Sequence, residues 1–150
     1  QFEGKWLYEK LYADIYERGD RGNLQATAQA MAMALRRDTG RSVDDVDVTK
    51  VVKDLCYVLD NRAVWDVNYI SGHVCTIIAL GYACDQRYGN NPLPEETLRM
   101  AERTLRGLER NYAADVYSRL KKSATLALKM LTGALLSADE EAFLLKKLDI

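Results

Sequence analysis

One histidine, two prolines and three cysteines are all that this 150-residue chain holds of the residue types that most often mark a metal centre, a broken helix or a disulfide framework. A single imidazole leaves no His-rich metal site and no conventional His-based acid/base pair. So few prolines leave long helices uninterrupted. Cys56, Cys75 and Cys84 are odd in number and lie inside apolar helical patterns, which suits buried free thiols in a reducing compartment better than bridges. Alternating Val/Ile/Thr/Tyr runs closed by Asn-Gly or Asp-Gly turns are missing, so nothing marks a β-hairpin. There is no phosphate-binding glycine loop, since the tetrapeptides GHVC and GYAC fall within a helical pattern. The Glu-x-x-His pairs of a di-iron bundle are absent as well.

An excess of charge of one sign is lacking too. A formal net charge of -1 and a pI near 5.9 give no global field to attract nucleic acid or an anionic membrane. What is present is a globular balance, 48% apolar with a mean hydropathy of -0.28. A chain of this length buries a sufficient core without staples. The expectation is one all-α domain over residues 1–150. Its first residues, Gln1-Phe2-Glu3, include no initiator methionine, so a processed product or excised domain with an upstream targeting or anchor segment is expected.

The organising stretch is Trp65 to Tyr88, which carries no charged residue between Val67 and Cys84. That length approaches the ~18–20 residues of a membrane span. Asn68, Ser71, Gly72, His73 and Thr76 dilute it, however, and Asp66 and Asp85 bracket it, so it reads as a buried central helix. Ser71, Cys75, Ala79 and Ala83 recur every four residues as a ridge of small side chains, over which another helix can cross closely.

Around it the spacing predicts about seven mostly antiparallel helices. Residues 5–18 place Leu7, Leu11 and Ile15 in one row and Tyr8, Tyr12 and Tyr16 in a second, widened by Trp6 and stopped at Gly19. Residues 24–37 are capped by Asn23, with Leu24, Ala28, Met31 and Leu35 facing the core. Val48, Val52, Leu55 and Leu59 line the next helix. Its start is open among Ser42, Asp47 and Thr49, and the acids Asp44, Asp45 and Asp47 charge its N-terminus rather than form an EF-hand loop. The breaker Gly89-Asn90-Asn91-Pro92-Leu93-Pro94 precedes a helix lined by Leu98, Ala101, Leu105 and Leu108. A long helix over 113–136 packs Leu120, Ala124, Leu128, Leu131 and Leu135. Ser137-Ala138-Asp139-Glu140 then forms a capping box for a short last helix.

Two surfaces carry the functional expectation. Trp6, Tyr8, Tyr12 and Tyr16 form an aromatic face suited to a protein partner or a second copy. Arg99, Arg103, Arg106 and Arg110, spaced 4, 3 and 4, share one helical face as an acidic or phosphorylated partner requires. Glu95 and Glu102 precede Arg99 and Arg106 by four residues, which equally suits a solvated face of weak surface pairs. An alternative is a small-molecule-binding or cysteine-dependent enzyme with a pocket near His73 and Cys75. Those two residues project about 160° apart on a helix, and His73 lies roughly 16 Å from Cys84, so neither pair chelates a metal.

Consecutive helices joined by short turns resemble tetratricopeptide-type helical hairpins, and Leu80-Gly81-Tyr82 matches a fragment of that family's signature. Pro92-Leu93 stands where the second helix's small residue belongs. Across its length the chain is also similar to trypanosomatid mitochondrial membrane-anchored proteins built of such helices. That resemblance implies a dimeric scaffold at the mitochondrial inner membrane, associated with respiratory-complex components, with a cytoplasmic location as the alternative. It carries over no site residue. The sequence therefore predicts a non-catalytic protein–protein interaction module without cofactor, metal or nucleic-acid partner.

Overall fold

Helical periodicity is realised throughout the residues that the structure, a computed structural model, describes: 21–36, 47–60, 70–111 and 118–148. These contain six helices and no strand: α1 (Arg21–Leu35), α2 (Val48–Asp60), α3 (Ile70–Ala83), α4 (Glu95–Asn111), α5 (Ser118–Thr132) and α6 (Ala138–Lys147). The helix expected over 5–18 lies outside the described residues.

The central position of α3 follows from its composition. With no charge along its length it has no face to give to water, and every residue but Ser71 is buried. Each of its larger apolar side chains contributes about 1.5–3 kcal/mol by leaving water. It packs against α1, α2, α5 and, more lightly, α6, while α4 packs against α2 and α5. The helices α2, α3, α5 and α4 thereby close a ring of contacts, with α1 and α6 laid on α3. The apolar lines read from spacing are inside: Ala28, Met31 and Leu35 of α1, Val52, Leu55 and Leu59 of α2, and Ala101, Leu105 and Leu108 of α4 are all fully buried.

Close approach in the core is set by a residue outside the small-residue ridge. Gly81 projects from the side of α3 nearly opposite Ala79, and a Cβ placed there would meet Ala127 Cα and Cβ at 3.1 Å and collide with the end of Met130. Beyond the helix, Gln86 N–H donates to Met130 O at 2.9 Å. The contacts advance in the same direction along both segments, so α3 and α5 run parallel. The same holds for α2 and α4. Thr49 and Lys53 face the groove shared with Thr97 and Met100, and further along both helices Thr104 Oγ1 donates to Asp60 Oδ1 at 3.2 Å.

Several boundaries differ from those expected, each for a local reason. Asn23 lies within α1, which starts at Arg21. The open start of α2 is decided for Asp47, whose carboxylate accepts from Lys50 N–H at 3.1 Å while its carbonyl accepts from Val51 at 3.0 Å. Pro94, the last residue of the breaker, occupies the capping position of α4, and its carbonyl accepts from the Thr97 and Leu98 N–H groups at 3.0 and 3.2 Å. The described part of the central helix stops at Ala83 rather than Tyr88, because Asn91 Nδ2 captures the Ala83 carbonyl at 2.8 Å. The long helix ends at Thr132 rather than Leu136. Gly133 takes φ 80 there, donating to Met130 O at 3.1 Å while Ala134 donates to Lys129 O at 2.9 Å, the paired bonds of a Schellman terminus. Leu135 is consequently 86% exposed and not part of the core. The capping box forms with both bonds: Glu140 N–H to Ser137 Oγ at 3.1 Å and Ser137 N–H to Glu140 Oε1 at 2.8 Å.

Candidate functional site

Trp6, Tyr8, Tyr12 and Tyr16 lie outside the described residues. The arginine row is described, and it divides into two pairs. Arg99 is held by Glu95 at 2.6 Å and Arg106 by Glu102 at 3.0 Å, with Glu109 at 4.0 Å. Exposed i,i+4 pairs of this kind contribute only about 0.3–0.5 kcal/mol, so they orient these two guanidiniums more than they stabilise the helix. Arg103 and Arg110 are exposed and have no ion-pair partner among the described residues.

Arg103 does not face open solvent alone. Between the parallel helices α2 and α4 runs a groove of about 490 Å³, with Thr49 and Lys53 on one wall and Thr97, Arg99, Met100 and Arg103 on the other. Glu96 also borders it. Three cations from two helices thus converge on one concavity whose single described acid lies at the start of α4. Outside the groove, further along the two helices, Thr104 Oγ1 donates to Asp60 Oδ1 at 3.2 Å. Beside it the Cys56 thiol is pushed up to about 11, mainly by burial, with the Thr104 hydrogen bond and the Arg103 charge opposing the shift.

The groove is rigid for reasons that the sequence displays. Helix α2 is anchored by its Asp47 cap and by the burial of Val51, Val52, Leu55 and Leu59. Helix α4 buries Ala101, Leu105 and Leu108 on the face away from its arginines, so the basic side chains project from a fixed cylinder. Lys53 was not among the expected site residues. Its exposure on α2 is legible from helical spacing, but its convergence with Arg103 depends on two helices more than forty residues apart packing in parallel.

His73 and Cys75 are both buried in α3. A second concavity, of about 370 Å³, reaches Cys75 but its described walls do not include His73. The Cys75 thiol donates to Lys147 O at 3.7 Å, and burial pushes it up to about 11. Burial also raises Cys84, next to the Asp85 carboxylate. Thiols held protonated in this way are poor nucleophiles at neutral pH. All three cysteines are free thiols. Among the described residues no cluster of His, Cys, Asp or Glu is placed to hold a metal ion, and no helix is long and apolar enough to cross a membrane.

No protein family, curated protein or solved structure matches the chain. The arrangement of the α2–α4 groove therefore stands on its own chemistry. Guanidinium and ammonium groups spread along a shallow channel between two helices can engage carboxylates on an extended or helical segment.

Proposed function

We propose that this protein is a non-catalytic helical interaction module that receives an acidic segment of a protein partner in the groove between α2 and α4. The observation that carries this reading is the convergence of Lys53 and Arg103, from separate helices, on one groove in which Arg103 lacks an ion-pair partner among the described residues. Arg99 and Arg110 extend the basic surface along α4, and Met100 supplies an adaptable apolar contact within it. Parallel packing of α2 with α4 and of α3 with α5 supports a tetratricopeptide-like stack of two hairpins, α2–α3 and α4–α5. Such stacks bind segments in channels lined by like helices.

A scaffold role at a mitochondrial membrane and association with respiratory-complex components belong to the same proposal and rest on the resemblance stated above, whereas dimer formation through Tyr8, Tyr12 and Tyr16 rests on their four-residue spacing as an aromatic face. The groove itself is tested with a fluorescein-labelled Glu-rich helical peptide and its Gln counterpart, by anisotropy. The expected outcome is binding of the Glu peptide alone, weakened at least about tenfold by Lys53→Glu with Arg103→Glu, and weakened by salt. Equal binding of the two peptides, or binding unchanged in the double variant, would overturn the reading.

A further inference from the structure

The concavity beside Cys75 is chemically unlike the α2–α4 groove and lies against different helices. Its volume is about 370 Å³, within the roughly 300–1,000 Å³ range of small-molecule sites. Its described walls carry Gln25 and Gln29 from α1, Ser71 from α3, Arg119 from α5, and Lys146 and Lys147 from α6. No carboxylate is among those described lining residues. Two of the three acids of α6 are directed elsewhere: Glu140 pairs with Lys129 at 2.7 Å and Glu141 with Arg87 at 2.5 Å.

The walls are pinned to one another. Gln29 Nε2 donates to Lys147 O at 3.0 Å, and the Cys75 thiol approaches the same carbonyl, so the end of α6 is tied to both α1 and α3. A fourth cation stands close by. The Lys122 and Lys147 ammonium groups lie 4.3 and 5.3 Å from the centre of the same ring, that of Phe143. Lys147 is accordingly pushed below its ordinary value, by burial first and then by the charges of Arg119 and Lys146, with Lys122 adding to them. A protein with net charge -1 has thus gathered cations around a polar hollow, an arrangement that costs free energy until an anion neutralises it.

We infer that this pocket binds a phosphomonoester carried on a small hydroxylated body. Arg119 offers a planar fork to two phosphate oxygens, Lys146 and Lys147 supply point charges for the dianion, and the amides of Gln25 and Gln29 with the Ser71 hydroxyl meet the hydroxyls of the body. A monocarboxylate would leave two cations uncompensated, and a bare phosphate would leave most of the volume unfilled. The inference is independent of the α2–α4 groove.

The test is titration of the intact chain with glycerol 3-phosphate, inorganic phosphate, sulfate and glycerol, followed by calorimetry and by amide NMR shifts. Glycerol 3-phosphate is expected to shift Ser71, Arg119 and Lys147 and to bind at least about tenfold more tightly than inorganic phosphate, with glycerol alone silent. Arg119→Gln and Lys147→Gln, both at positions with no buried ion pair among the described residues, are expected each to weaken binding by about tenfold or more, while Lys50→Gln on α2 leaves it unchanged. Flotation with phosphatidic acid vesicles but not phosphatidylcholine vesicles, lost in Arg119→Gln, would assign the phosphomonoester to a lipid; no flotation would assign it to a soluble metabolite. Glycerol 3-phosphate binding no better than sulfate, or binding as wild type in both pocket variants, would overturn the inference.

Discussion

Arg87 meets Asp85 edge to edge just beyond the end of α3: Nε donates to Oδ1 at 2.9 Å and a terminal nitrogen to Oδ2 at 2.8 Å. The two side chains are only 4% and 0% exposed. Arg87 N–H also donates to Asp85 Oδ1 at 3.1 Å, and the other terminal nitrogen reaches Glu141 of α6 at 2.5 Å. Gln86 and Asn91 complete the turn, Gln86 Nε2 donating to Asn91 O at 2.8 Å. This knot joins the end of the central helix to α5 and α6.

Truncating one member of the knot is expected to cost far more than replacing both. Arg87→Met strands a buried carboxylate and should destabilise by about 3–5 kcal/mol, whereas Arg87→Met with Asp85→Leu should recover most of the loss. Glu141→Gln should cost less than Arg87→Met, since Glu141 is 35% exposed. Urea midpoints of the four proteins check this, and a single Arg87→Met variant as stable as wild type would contradict it.

Gly81→Ala should destabilise despite the ~1 kcal/mol helix preference for alanine. Its added methyl needs both movement of Met130 and separation of α3 from Ala127, whose backbone lies 3.1 Å from the new atom. Overpacking of this kind costs about 1–3 kcal/mol. Ala79→Leu, at a fully buried site of the ridge, should act in the same direction. Thermal melts of both variants give the measurement; unchanged transitions would show that α3 is not closely packed at these points.

Alkaline pH should weaken the fold. Cys56 and Cys75 are each pushed from 9.0 to about 11 by burial, so between those values the folded state keeps protons that the unfolded chain has lost. Stability is full below pH 9.0 and declines as pH rises towards about 11. Thiol titration at neutral pH should find these groups unreactive until denaturant is added; rapid native reaction would refute their burial.

At the acid end the sign reverses. Glu140 is held below its ordinary 4.5, first by its hydrogen bond from Lys129 and then by the Ser137 backbone. Its contribution is present above 4.5 and is lost as pH falls through the lowered value. Lys129→Met should flatten that acid limb in pH-dependent melts, and an unaltered limb would discount the pair.

Removal of the capping box by Ser137→Ala should cost about 0.5–2 kcal/mol. The loss should appear locally, as faster amide exchange in α6, because the box satisfies only that helix's first turn. Since α6 carries Lys146 and Lys147 to the pocket beside Cys75, glycerol 3-phosphate affinity should fall with it.

Much of the fold was legible because its signals are local. The uncharged run over α3 could only be buried, and the apolar lines of α2 and α4 recur at a period of 3.6 residues whatever surrounds them. Ser137 and Glu140 stand at the spacing of a capping box, and that bond pair needs no distant partner. Helix ends were less legible. The end at Ala83 depends on Asn91 folding back, and the loss of Leu135 from the core follows from Gly133 adopting a left-handed turn that apolar periodicity does not register.

Spacing along single helices is enough to make the described residues helical, to put α3 inside and to set Arg99, Arg103, Arg106 and Arg110 on one face. Tertiary structure alone decided which cations meet. Lys53 reaches the groove of Arg103, and Arg119 the pocket of Lys147, only because separate helices pack side by side. Coulombic convergence depends on distance in space, which sequence separation does not encode.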